Sequence, residues 1–172
     1  MSMISKQPHE ITALIRTHPG REVLVQRAIQ SCARAGIKWQ VHYGEELPDY
    51  QYNLYCNDMK AKMTSGYFFF LDSDDAIIPG SINKILKFLD SDKALIVQML
   101  RNGKPKPKTE LTIRKGTIGM PCLFLHHSAK FAGDVTATEW GDWDWIHSVM
   151  KAMNYDFVKI PVVDAGKRNH GK

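Results

Sequence analysis

Leu71-Asp72-Ser73-Asp74-Asp75 places three carboxylates within four residues, directly behind the apolar run Tyr67–Leu71. Like charges this close repel one another unless a cation or wide exposure to water compensates them. An all-oxygen ligand set suits a hard divalent ion such as Mn²⁺ or Mg²⁺, which commonly also takes substrate phosphate oxygens. The plainer alternative is a turn whose aspartates cap a helix before a solvated loop. A second acidic group, Glu139-Trp140-Gly141-Asp142-Trp143-Asp144-Trp145, stands just before an apolar stripe at Ile146, Val149, Met150 and Met153. That spacing predicts a helix. Asp142 or Asp144 then falls at its N-terminus, where the helix dipole keeps a carboxylate ionised. Beside a pocket such a group serves as a general base; an ordinary capping aspartate has the same sequence signature. The two roles are compatible, with Asp144 as cap and Asp142 as base. The three tryptophans interleaved with these charges cannot all be core. At least one is expected to offer a ring face to a sugar or base.

These groups depend on the elements that carry them. Ile11–Ile15 reads as a buried strand ending in a loop at Arg16-Thr17-His18-Pro19-Gly20. Val25, Ala28, Ile29, Cys32 and Ala33 lie on one helical face, closed by Gly36. Trp39–Tyr43 is a second strand, and Cys56, Met59 and Met63 suggest a helix stopped near Gly66. Tyr67–Leu71 has the unbroken apolar character of a strand buried in a parallel sheet. A helix at Ile82, Ile85, Leu86 and Leu89 and a strand at Ala94–Leu100 follow. This alternation implies a layered α/β sheet, in which ligands bind beyond the carboxyl ends of strands. The later part is more mixed. Asn102-Gly103 signals a hairpin, Lys104–Lys108 an exposed extended loop, Leu111–Ile113 and Pro121–Leu125 strands, and Phe157–Val163 a final strand.

The 172 residues are 44% hydrophobic and 24% charged, the values of a globular chain. They are read as one domain, with a nucleotide-type α/β half at about 9–100 and a more mixed half at about 101–172. The apolar run at Tyr67 stops at Asp72, far short of a membrane span. The N-terminus lacks the apolar core of a signal peptide. Cys32, Cys56 and Cys122 have no CxxC spacing, so a disulfide framework and a structural zinc site are not expected, and a reducing cytoplasm is the simplest location. The net charge of +5 is uneven: Arg101–Lys115 holds six Lys or Arg and one Glu. A basic stretch suits nucleic acid, an anionic surface or ligand phosphates, or is simply solvated.

Together these pieces resemble the family 2 glycosyltransferases. Ile11–Arg21 looks like that family's opening strand, threonine and arginine, with the helix from Glu22 following. Asn57 and then Gly66–Asp75 look like the approach to its DxD metal motif, and Gly141-Asp142-Trp143-Asp144-Trp145 stands where the family has its acidic pair. Lys167-Arg168-Asn169-His170 resembles the late arginine and histidine that close over the diphosphate and metal. The stretch after the second strand departs from the family's Asp-Asp-Gly-Ser: here it is His42-Tyr43-Gly44-Glu45.

The resemblance implies an α/β, single-domain GT-A fold: a Rossmann-like mixed sheet flanked by helices. It implies a metal-dependent, inverting transferase with Asp142 as base, Mn²⁺ or Mg²⁺ held by Asp72, Asp74, Asp75 and His170, and a nucleotide-sugar donor, expected to be a UDP-sugar. Thr17, His18, Arg21, Tyr43, Asn57, Ser73, Lys167 and Arg168 are then the nucleotide-site candidates. Trp140, Gly141 and Trp143 are the acceptor-site candidates. The acceptor is left open between a glycan, an envelope precursor and a nucleic acid. A nucleotidyltransferase would share the sheet and the carboxylates, but no glycine-rich phosphate loop with a signature lysine stands near the N-terminus. A degenerate, non-catalytic module would have no reason to retain both acidic groups. His126-His127 has no partner at metal spacing and reads as structural.

Overall fold

In the computed structural model, which describes residues 6–45 and 47–166, the first apolar run becomes β1 (Ile11–Thr17). All its residues but Arg16 are buried, as a strand with neighbours on both sides requires. α1 (Glu22–Ala35) turns Val25, Ala28 and Cys32 inward and stops at Gly36. β2 (Lys38–Tyr43) and β3 (Tyr67–Asp72) then flank β1, both parallel to it. Between them a short 3₁₀ turn at Gln51–Leu54 runs into α2 (Tyr55–Ala61). After β3 come the two-residue β4 (Ala76–Ile77) and α3 (Ser81–Ile85). The helix expected through Leu89 is shorter, because Leu86–Phe88 tightens to 3₁₀ geometry.

The second part of the chain differs more from its sequence pattern. β5 (Ala94–Arg101) is followed by β6 (Lys104–Lys106), which pairs antiparallel with it where an exposed loop was expected. Asn102 and Gly103 both have positive φ, 53° and 72°, the geometry of a two-residue hairpin. Pro105 is tolerated because β6 is an edge strand and owes no outward N–H to a neighbour. The strand expected at Leu111–Ile113 is instead a 3₁₀ turn at Glu110–Thr112, closed by the Thr112 hydroxyl, which donates to the Thr109 carbonyl at 2.8 Å. Leu111 itself is 97% exposed, so its apolar character reports no burial. β7 (Leu123–His126), α4 (Gly141–Ala152) and β8 (Tyr155–Asp164) complete the order.

The strands join in the order β2-β1-β3-β7-β5-β8-β4, with β6 beside β5. β7 runs against both β3 and β5, so β5 runs in the direction of β3. The carboxyl ends of β1, β2, β3 and β5 therefore open on one edge of the sheet. The core joins the two parts: Phe69 stacks on Phe124 at 4.4 Å, and the buried Trp145 of α4 meets Phe70 edge-on at 5.0 Å. The three cysteines are free and buried. Burial pushes the Cys32 and Cys122 thiols up to about 12 and that of Cys56 to about 11, so all three stay protonated and serve as core. No helix among the described residues is long and apolar enough to cross a membrane.

Candidate active site

The acidic turn sits on the open edge. The parallel register sets Arg16 beside Asp72 and Thr17 beside Tyr43. Asp72 ends β3 half-buried, Ser73 and Asp75 are buried, and Asp74 is exposed. The Asp75 N–H donates to the Asp72 carbonyl at 3.0 Å, which folds the turn back. Each of Asp72, Asp74 and Asp75 offers a carboxylate oxygen within 4.8 Å of the others. Three converging oxygens of this kind are the donor set of a hard divalent cation, so the residues present fit Mn²⁺ or Mg²⁺.

The opposite wall is the start of α4. Asp142 is the second residue of the helix, and its Oδ1 accepts the Trp143 N–H at 2.7 Å. The N-cap is Trp140, without a side-chain cap. Asp144 therefore does not cap the helix. One turn in, its carboxylate accepts from the hydroxyls of Thr136 at 2.8 Å and Thr138 at 3.0 Å, tying the preceding loop to α4. Asp144→Asn is expected to lower stability by about 1 kcal/mol through loss of these charge-assisted bonds. A thermal melt that moved by less than a degree would remove Asp144 from this role.

Sequence reasoning passed over a second set of residues. Arg16 is the one charged residue of β1, and its Nη1 donates to Asn53 Oδ1 at 2.8 Å while its guanidinium lies 4.6 Å from the Tyr52 ring centre. The buried Asn53 in turn donates to the carbonyls of Thr138 at 3.1 Å and Thr136 at 3.3 Å. One amide thus joins the end of β1 to the loop that leads into α4. The signal was available in Arg16, since a cation at the end of a buried strand must find a partner. Gly141 belongs to the same joint. A Cβ there would run into the Thr136 carbonyl and come within 2.8 Å of the Asn53 amide. Gly141→Ala is expected to cost about 1–3 kcal/mol, the usual range for overpacking, and denaturant unfolding reads it directly.

Between the walls lies a cavity of about 170 Å³ whose lining includes Arg16, Asn53, Asp72, Arg101, Glu139, Gly141 and Asp142. It brings together Asp72 and Asp142, the two acidic groups singled out by pattern. The nucleotide candidates lie along the neighbouring strand ends. Thr17 is buried, and Tyr43 is 58% exposed. His18 is partly exposed, and Arg21 Nη1 donates to Ser73 Oγ at 3.5 Å. Asn57 exchanges two hydrogen bonds of 2.9 Å with the backbone of Val135 and so pins a loop onto α2. Trp140 is 36% exposed, and Trp143 stacks on His147 at 5.0 Å. Lys167, Arg168 and His170 lie outside the described residues. His126 and His127 are bound locally, to Ser128 Oγ at 2.8 Å and to the Gly66 carbonyl at 3.3 Å, as a structural pair would be.

No protein-family model and no curated protein sequence matches the chain. Solved structures do. Residues 1–349 of TarS from S. aureus, in complex with UDP, superpose with a TM-score of 0.65 over 90% of the chain at 15% identity. The same protein with UDP-GlcNAc gives 0.62 over 94% at 12% identity. A glycosyltransferase involved in glycosylation of the PBCV-1 major capsid gives 0.52 over 87% at 15% identity. The chain has the GT-A fold. It spans 36% of the longer TarS chain, about 60% of the shorter TarS chains and 82% of the PBCV-1 protein. Within the GT-A fold of this chain, the acidic turn closes the first parallel block, and α4 returns from the mixed block to face it.

Proposed function

We propose that the chain is a metal-dependent glycosyltransferase of the family 2 type, moving a sugar from a nucleotide-sugar donor to an acceptor hydroxyl with inversion. The observation that carries this reading is that Asp72 and Asp142 line one cavity, on a fold shared with proteins solved with UDP and UDP-GlcNAc. A UDP-sugar is accordingly the first donor to test. Its nucleotide would lie over the ends of β1 and β2, near Thr17, His18, Arg21 and Tyr43.

Asp72, Asp74 and Asp75 would hold Mn²⁺ or Mg²⁺, which when bound supplies positive charge against the departing diphosphate. The chain's own residues do the rest. Asp142 accepts the proton of the acceptor hydroxyl, and the freed oxygen attacks the anomeric carbon from the face opposite the leaving group. The bond from that carbon to the diphosphate oxygen breaks, its electron pair leaves with the nucleotide, and the configuration inverts. The peptide N–H of Trp143, bonded to Asp142 Oδ1, and the helix N-terminus favour the ionised carboxylate before each turnover. Arg16 and Asn53 hold the two walls in register. Three buried, protonated thiols suit a cytoplasmic setting.

A hydrolysis screen of nucleotide sugars with and without Mn²⁺ tests the reading. Release of a nucleoside diphosphate from one donor, dependent on the ion, is expected. No release and no binding from any UDP-, GDP- or dTDP-sugar would overturn it.

A further inference from the structure

Arg101 is the one residue of the cavity lining that comes from the basic stretch 101–115. It ends β5, on the same sheet edge as Asp72. The other guanidinium of the lining, Arg16, is committed to Asn53 and the Tyr52 ring. Arg101 is not committed in that way. Its Nη1 donates to the Gly116 carbonyl at 3.2 Å, and no carboxylate among the described residues lies within ion-pair distance of it. Its Nε is buried with no hydrogen-bond partner among them. A guanidinium carries five donors in a fixed fork, and a partly desolvated one is satisfied best by a bidentate anion.

The surroundings add a second cation and a ring. The Gly116 that anchors Arg101 follows Lys115, whose Nζ lies 4.5 Å from the centre of the Trp140 ring. Trp140 immediately precedes Gly141 and Asp142 at the start of α4. Arg101, Lys115 and the exposed Trp140 face therefore form one rim beside the proposed base. Arg101 and Asp142 line the same cavity. A pyranose ring lying on an indole with its hydroxyl at Asp142 would bring its substituents to that rim.

We infer that the acceptor carries an anionic group, a phosphate ester or a carboxylate, and that Arg101 and Lys115 beside Trp140 form the subsite that holds it. This rests on the transferase reading for the identity of the acceptor, although the anion subsite is measurable by itself. Because Arg101 and Asp72 line one cavity, the donor diphosphate, proposed for the acidic turn and the ends of β1 and β2, is told apart from this subsite by the titrations.

The test is calorimetric titration of the full chain with glucose 6-phosphate, glucuronate and glucose, and separately with UDP, GDP and dTDP plus Mn²⁺. The two charged sugars distinguish a phosphate from a carboxylate subsite. At least one is expected to bind about tenfold or more tighter than glucose, the scale of one charge-assisted bidentate contact. Arg101→Gln should remove most of that preference and weaken the charged sugar more than UDP; Arg101→Lys should retain part of it. If Arg101→Gln does not fold, Lys115→Gln at the exposed rim is expected to reduce the preference about threefold, as removal of one partly solvated charge would. Equal affinity for charged and neutral sugars overturns the subsite. So does an Arg101→Gln loss as large for UDP, which would assign Arg101 to the donor. Failure of UDP, GDP and dTDP alike to bind with Mn²⁺, with the charged-sugar preference intact, would remove the transferase reading and leave the subsite standing.

Discussion

Asp142→Asn is expected to slow sugar transfer by at least about a hundredfold, the lower end of what a positioned general base contributes. The amide keeps the size of the side chain and an oxygen to accept the Trp143 N–H, so α4 should start as before. It cannot take a proton from an acceptor hydroxyl. Donor affinity should change little, because the loss falls on the transition state rather than on nucleotide binding. The comparison with Asp144→Asn decides the assignment. Asp144 is already engaged with Thr136 and Thr138, so its substitution should show in the melting temperature. Were Asp144→Asn inactive and Asp142→Asn active, the two roles would have to be exchanged. With no acceptor in hand, hydrolysis of the donor to water provides the rate.

Asp74→Asn is expected to weaken Mn²⁺-dependent binding of UDP by about a hundredfold, since the affinity of oxygen-ligand sites follows the number and charge of their carboxylates. Asp74 is the informative member of the three because it is exposed while Asp75 is fully buried. A change at Asp75 would confound folding with metal binding. At Asp74 the fold should be unaffected, and a chelator should bring the unsubstituted chain down to the level of the variant. Equal UDP affinity in both chains, with and without Mn²⁺, would remove the metal from the proposal.

Much of the fold was legible because its determinants are local. The run Tyr67–Leu71 has no polar residue to place on a wet face, so it had to be an interior strand, and it is. The α4 stripe predicted its helix for the same reason: Ile146 and Val149 are buried at helical spacing. Where local signals misled, a partner elsewhere had decided the outcome. Lys104–Lys106 alternates charge and proline and looks solvated, but the Asn102-Gly103 turn returns it onto β5. Leu111 carries the signature of a strand, but no strand was there to receive it, and the Thr112 hydroxyl closes a 3₁₀ turn instead.

Amino-acid order alone determined which residues could do the chemistry. Three carboxylates behind a buried strand and an acidic pair at a helix start are properties of neighbours along the chain, set by periodicity and charge. Tertiary structure alone decided that Asp72 and Asp142 share a cavity, that Asp144 is tied up by Thr136 and Thr138, and that Arg101 is the residue of its basic stretch that lines that cavity. It also recruited Arg16 and Asn53, which no motif marked. The physical reason is that a side chain's type states what bonds it needs, whereas its partner is set by strand order and register. A cation at the end of β1 had to be paired, but Asn53 became the partner only once the sheet had folded.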